Sequence, residues 1–200
     1  MAKFPQLDKI SYSQARARIS TGDILLASGN YTFSRLIQKA TGSCWSHVAF
    51  VMRLDQIDRV MVLESIEGKG VRTIPLSEYV YDFEGSKKGY NGRLAIARHH
   101  NFEDEATESN LKKLAQFAVD RFAYPYDEEE IGRITIRIVG EKLGFKPDEM
   151  VRNEEYICSE YVYECYRTIG LIVQQGNSGF IAPADFPADP EIDLQFELVA

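Results

Sequence analysis

The sequence predicts an α+β fold, an antiparallel sheet packed against helices, and three observations carry that prediction. Short apolar, β-branched-rich runs recur between residues 24 and 98, separated by polar or glycine-containing turns. Two of these runs, His47–Leu54 and Arg59–Ile66, flank the polar tetrapeptide Asp55-Gln56-Ile57-Asp58, the pattern of a β-hairpin. Segments with apolar residues at helical spacing lie before and after this strand-rich stretch.

Taken in order, Ser11-Tyr12-Ser13-Gln14 has the spacing of a capping box and predicts a short helix to about Ile19, ended by Thr21-Gly22. Ile24 to Ala27 reads as a buried strand. Tyr31 to Ala40 carries Phe33, Leu36, Ile37 and Ala40 at helical spacing, with Gly42 to close it. After the hairpin, Gly68-Lys69-Gly70 turns the chain into a strand over Val71–Ile74, and Leu76–Phe83 reads as a short helix. A polar loop from Gly85 to Gly92 precedes an alternating strand, Arg93–Arg98. Asp104–Phe122 is the clearest helix, with an apolar stripe of Leu111, Leu114, Ala115, Ala118, Val119 and Phe122. Glu128–Leu143 fits helix better than strand, Tyr156–Ile169 is a helix ended by Gly170, and Leu194–Val199 is a last strand.

The chain has 200 residues, which predicts one domain over 1–200, with the polar segment 128–155 as a candidate lid insertion. The net charge of −7 argues against a nucleic-acid partner, because phosphate binding needs a basic footprint. The first residues lack the apolar run of a signal peptide and no stretch reaches the length of a membrane span, so the expected location is the cytoplasm. Cys44, Cys158 and Cys165 then read as free thiols. No P-loop, G-x-G-x-x-G or G-x-S-x-G pattern occurs, and no cofactor is expected.

Cys158 sits where the Tyr156–Ile169 helix begins. The thiolate is the reactive form of cysteine, and a helix N-terminus favours negative charge through its unpaired N–H groups. Those groups are also suited to a developing oxyanion. Periodicity alone argues the other way: Cys158, Val162, Cys165 and Ile169 share one apolar face, as core residues do. His47 opens a strand, and hairpin arithmetic links it to Glu64. A two-residue turn places the two opposite each other. A four-residue turn places His47 opposite Ile66 with Glu64 diagonal, and both registers put His47 and Glu64 on one sheet face. A carboxylate beside an imidazole orients the ring and stabilises its charged form. A metal site is not expected: Cys44 and His47 are too few ligands, and His99 and His100 are strand neighbours pointing to opposite faces.

The runs Gly22-Asp23-Ile24-Leu25-Leu26, Ser46-His47-Val48-Ala49, Leu63-Glu64-Ser65, Tyr124-Pro125-Tyr126-Asp127 and Tyr156-Ile157-Cys158-Ser159-Glu160 together resemble the circularly permuted NlpC-type papain-like enzymes of the YiiX/YaeF-like branch. The order is informative, because ordinary papain-like chains carry the cysteine helix before the histidine strand. The resemblance implies a nucleophilic Cys158, a base at His47 and an orienting Glu64, with Tyr156 and Ser159 at the substrate or oxyanion side. It further implies a cysteine-dependent amidase or peptidase acting through an acyl-enzyme on a small peptide, amide or lipid-like substrate. An acyltransferase or thioesterase of the same fold, and a binding module that lost catalysis, are the alternatives it leaves open. Ala182-Pro183-Ala184-Asp185-Phe186 resembles a family segment and receives no catalytic role.

Overall fold

The computed structural model describes residues 2–125, 157–176 and 180–200. The candidate lid at 128–155 and the helix expected over Glu128–Leu143 lie outside the described residues, as does Tyr156.

Seven strands form one sheet: β1 Lys9–Ser11, β2 Asp23–Gly29, β3 His47–Leu54, β4 Arg59–Ile66, β5 Gly70–Pro75, β6 Gly92–His99 and β7 Ile192–Val199. Their order is β1-β7-β6-β2-β3-β4-β5, antiparallel throughout except for the short parallel pair β1–β7. Among the described residues the α-helices are α1 Tyr12–Ala15, α2 Thr32–Thr41, α3 Leu76–Tyr81, α4 Phe102–Glu105, α5 Glu108–Asp120 and α6 Cys158–Arg167. The sheet separates two apolar clusters. One face packs Ile24, Leu26, Val48 and Phe50 against Leu114 and Ala118 of α5 and Tyr161, Val162, Cys165 and Tyr166 of α6. The other packs Leu25, Ala49, Val51 and Val62 against Leu76, Tyr79 and Val80 of α3. Period-two alternation along β2, β3 and β4 is what feeds both clusters from the same strands.

Three expectations need correction. The segment Asp104–Phe122 is two helices, α4 and α5, because Thr107 leaves helical geometry and its hydroxyl accepts from Asn110 N at 3.2 Å, capping a new start. The expected capping box at Ser11 does not close: its hydroxyl goes to the Gln14 side chain at 3.1 Å, and α1 ends at Ala15. In α2 the inward residues are polar. Ser34 and Gln38 are buried, while Leu36 of the apolar stripe is 44% exposed.

α6 is pinned at several points. The Tyr161 hydroxyl donates to Ala118 O at 2.9 Å, the Tyr166 hydroxyl to Gly22 O at 2.7 Å, and the Ser159 hydroxyl to Ile181 O at 2.7 Å. The 182–186 segment supports this arrangement. Asp185 accepts from Ala182 N at 2.8 Å, and Phe186 is fully buried in the core.

Candidate active site

His47 is the first residue of β3 and pairs with Ala27 of β2. The β3–β4 hairpin uses the four-residue connection, with Leu54 opposite Arg59 and Phe50 opposite Leu63. Extending that register puts His47 opposite Ile66 and Glu64 on the diagonal, on the same face. The contact is made: His47 Nε2 lies 2.7 Å from Glu64 Oε2.

Glu64 is completely buried, and a lone carboxylate there would be costly. It is not alone. Arg72 stands directly across from it on β5 and donates through Nε to Oε1 at 2.9 Å, with Nη2 2.8 Å from the same oxygen. The Tyr79 hydroxyl, delivered by α3, donates to Oε2. Burial pushes the carboxyl upward, but the ring of His47, the guanidinium of Arg72 and the Tyr79 hydroxyl outweigh it and hold Glu64 below the usual carboxylate range. Arg72 also lies 3.5 Å from Glu84, which Lys69 engages at 2.6 Å.

Cys158 begins α6, and the cap residue Ile157 offers no side-chain acceptor to the N–H groups of the first turn. Those groups are therefore not consumed by an N-cap side chain; the backbone N–H of Ile157 donates to Glu160 Oε2 at 3.4 Å. The Cys158 side chain lies close enough to the His47 ring to act on its protonation. Since Nε2 is committed to Glu64, the nitrogen left for the thiol is Nδ1. Burial pulls the imidazole toward its neutral form. The charge and hydrogen bond of Cys158, together with those of Glu64, more than reverse this and raise its pKa to about 10.

The other cysteines are packed elsewhere. Cys44 and Cys165 both belong to the helix-side core, and burial pushes both thiols up. Of the remaining predicted residues, Ser159 is buried and its hydroxyl donates to Ile181 O, so the hydroxyl is committed to the fold. His99 is buried while His100 faces outward to Asp193 at 2.7 Å. Among the described residues no group of three or more His, Cys, Asp and Glu is placed to hold a metal ion.

Sequence reasoning missed Arg72 and Tyr79. For Arg72 a signal existed, because continuing the hairpin through Gly68-Lys69-Gly70 sets Ile66 opposite Gly70 and hence Glu64 opposite Arg72. A third overlooked feature lies behind His47. Ser46 Oγ donates to Ala27 O at 3.2 Å and accepts from Gly29 N at 3.0 Å, and the hydroxyl of half-buried Tyr90 lies against Ser34 and Ser46. Gln38 Nε2 of α2 closes this polar node on Gly29 O at 3.0 Å.

Comparison with known proteins places this geometry in context. The sequence profile of the family described as permuted papain-like amidase enzyme, YaeF/YiiX, C92 family, matches residues 18–178. The crystal structure of the metalloprotein YiiX from Escherichia coli O157:H7 superposes with a TM-score of 0.61 at 17% identity, covering 90% of this chain and 98% of that one. At that identity the likeness speaks for the fold, a permuted papain-like one. No curated protein sequence matches the chain.

Proposed function

This chain belongs to the permuted papain-like amidase family, and from that premise we propose that it is a cysteine hydrolase in which Cys158, His47 and Glu64 form the catalytic constellation. The observation that carries the reading is the His47 ring held by buried Glu64 at 2.7 Å on Nε2, with the Cys158 thiol near enough to act on the ring's protonation.

In this reading the Cys158 thiolate attacks the carbonyl carbon of an amide. Backbone N–H groups in the first turn of α6, those of Cys158 and Ser159, receive the developing oxyanion. The His47 imidazolium gives its proton to the leaving nitrogen as the C–N bond breaks, which leaves a thioester on Cys158. Water then attacks the thioester, and His47 takes the water's proton as the thiolate departs. Glu64 holds the ring's orientation throughout and stabilises its protonated form at the steps where it carries the proton, fixed in turn by Arg72 and Tyr79. The residues gathered here are not a metal-ligand set, because Glu64 faces the ring nitrogen and the guanidinium, so no step is routed through a metal.

The test combines thiol labelling with turnover. Iodoacetamide at neutral pH is expected to modify Cys158 first, with the rate falling sharply in His47→Ala, and Cys158→Ala is expected to abolish release of amine from a panel of aminocoumarin amides. Preferential labelling of Cys44 that ignores His47→Ala, or turnover surviving in Cys158→Ala, overturns the assignment.

A further inference from the structure

The surface of α2 does not behave as the surface of an ordinary packed helix. Its inward side is polar: Ser34 is engaged by Tyr90 and Gln38 by Gly29 O. At 100° per residue, Leu36 falls on the side away from Ser34 and Gln38, and it is 44% exposed. Phe33, Ile37 and Ala40 flank it, all only half-buried. Tyr31, just before the helix, is 40% exposed, its ring 5.4 Å from Tyr90 and 6.4 Å from Phe83. An apolar stripe turned to solvent is the reverse of what a core-facing helix presents.

The charges on the stripe's own helix have one sign, and two more lysines lie on the loop beside it. Within Thr32–Thr41 the only charged residues are Arg35 and Lys39, both exposed. Lys87 and Lys88 are exposed on the neighbouring loop, where Phe83 N is bonded to Lys88 O at 2.7 Å. No acidic side chain among the described residues forms an ion pair with these four; of the nearby acids, Glu84 is paired with Lys69, and Asp82 accepts from the backbone N–H of Lys87. This basic belt stands in a chain of net charge −7, so its attraction for anions is local.

We propose that the exposed face of α2, with Tyr31 and the Lys87-Lys88 loop, docks on the surface of an anionic lipid bilayer. An interfacial helix combines these two features, apolar residues that enter the acyl boundary and lysines and arginines that meet anionic headgroups. The helix is also tied to the site: Gln38 grips Gly29 O, and Gly29 N is bonded to Ser46, the residue before His47. Docking therefore sets the His47 end of the sheet against the membrane. That this would present lipid-borne amides or esters to Cys158 rests on the reaction proposed above; the docking itself does not.

The experiment is co-sedimentation of the full chain with vesicles of phosphatidylcholine alone or mixed with phosphatidylglycerol, repeated with Cys158→Ala so that docking is read apart from chemistry. Binding is expected to the mixed vesicles, weakened by salt and at least about tenfold weaker to phosphatidylcholine alone. Leu36→Asp and the pair Arg35→Glu, Lys39→Glu are expected to reduce binding by a similar factor with the circular dichroism spectrum unchanged. Absent vesicle binding, equal binding to both vesicle types, or full binding by both variants overturns the proposal. So does concentration-dependent self-association that Leu36→Asp removes, which would assign the face to a second copy.

Discussion

His47 Nε2 and Glu64 Oε2 are 2.7 Å apart, with the carboxylate shut away from solvent and the Cys158 thiol close enough to act on the ring. A buried anion at that distance favours the imidazolium, and with Cys158 it raises the His47 pKa to about 10. In the proposed reaction the protonated ring is the acid that releases the amine, so kcat/KM for an amide should fall with an alkaline limb near pH 10. Glu64→Gln keeps the size and removes the charge. The limb should move to lower pH and kcat/KM at neutral pH should drop by about 10²-fold or more. A pH–rate profile checks both, and an unmoved limb would take the orienting role away from Glu64.

The same pair sets a pH dependence of stability. A histidine whose folded pKa lies above its unfolded value contributes stability fully below the unfolded value of 6.5, and that contribution fades as pH rises toward about 10. Wild type should therefore lose unfolding free energy between those limits. His47→Gln should show a smaller loss over the same window, measured by urea denaturation at several pH values.

Tyr79 supplies the test of positioning. Its hydroxyl is buried and donates to Glu64, so Tyr79→Phe leaves the carboxylate short of one donor and should cost about 1–3 kcal/mol. Its effect on kcat/KM should be smaller than that of Glu64→Gln, because the charge beside His47 remains. Chemical denaturation and the kinetic ratio separate the two outcomes.

How much of this could be read in the sequence differs from residue to residue. Period-two alternation put His47 and Glu64 on one face whichever turn was used, and the structure uses the four-residue one. The start of the cysteine helix was legible to within two residues, from Tyr156 to Cys158. Tyr79 was not legible, because it arrives from α3 through tertiary packing that no local spacing encodes. The face of α2 was not legible either. Helical spacing identifies an apolar stripe, but here Ser34 and Gln38 have hydrogen-bond partners inside the fold, and they take the inward side. The two-helix break at Thr107 had a signal in Thr-x-x-Asn, a cap-competent residue three before its donor, inside a run whose apolar period masked it.

Gly29 is predicted to tolerate no side chain. A Cβ there would run into the Tyr90 hydroxyl and Ser34 Oγ, the node that holds Ser46 and α2 behind His47. Gly29→Ala should cost about 1–3 kcal/mol, as overpacking does. It should lower kcat/KM as well, because Ser46 directly precedes His47, the base of the proposed reaction. Pairing it with Ser34→Ala should recover part of both losses, read as non-additivity in a double-mutant cycle.

His99 is expected to make the protein acid-sensitive. It is buried, its Nδ1 accepts from Asn101 N at 3.2 Å, and the neutral ring therefore carries its proton on Nε2, which has no hydrogen-bond partner among the described residues. Burial lowers its pKa; Asp189 and Glu191 oppose that shift and His100 adds to it. A histidine depressed in the folded state is protonated first in the unfolded chain. Stability is therefore lost as pH falls below the unfolded value of 6.5 toward the lower folded one. His99→Phe removes the titrating group and keeps an aromatic ring against Tyr166, whose centroid lies 5.6 Å away. The drop in Tm between pH 7 and pH 5 should be smaller in His99→Phe than in wild type, and an equal drop would assign the acid sensitivity to other groups.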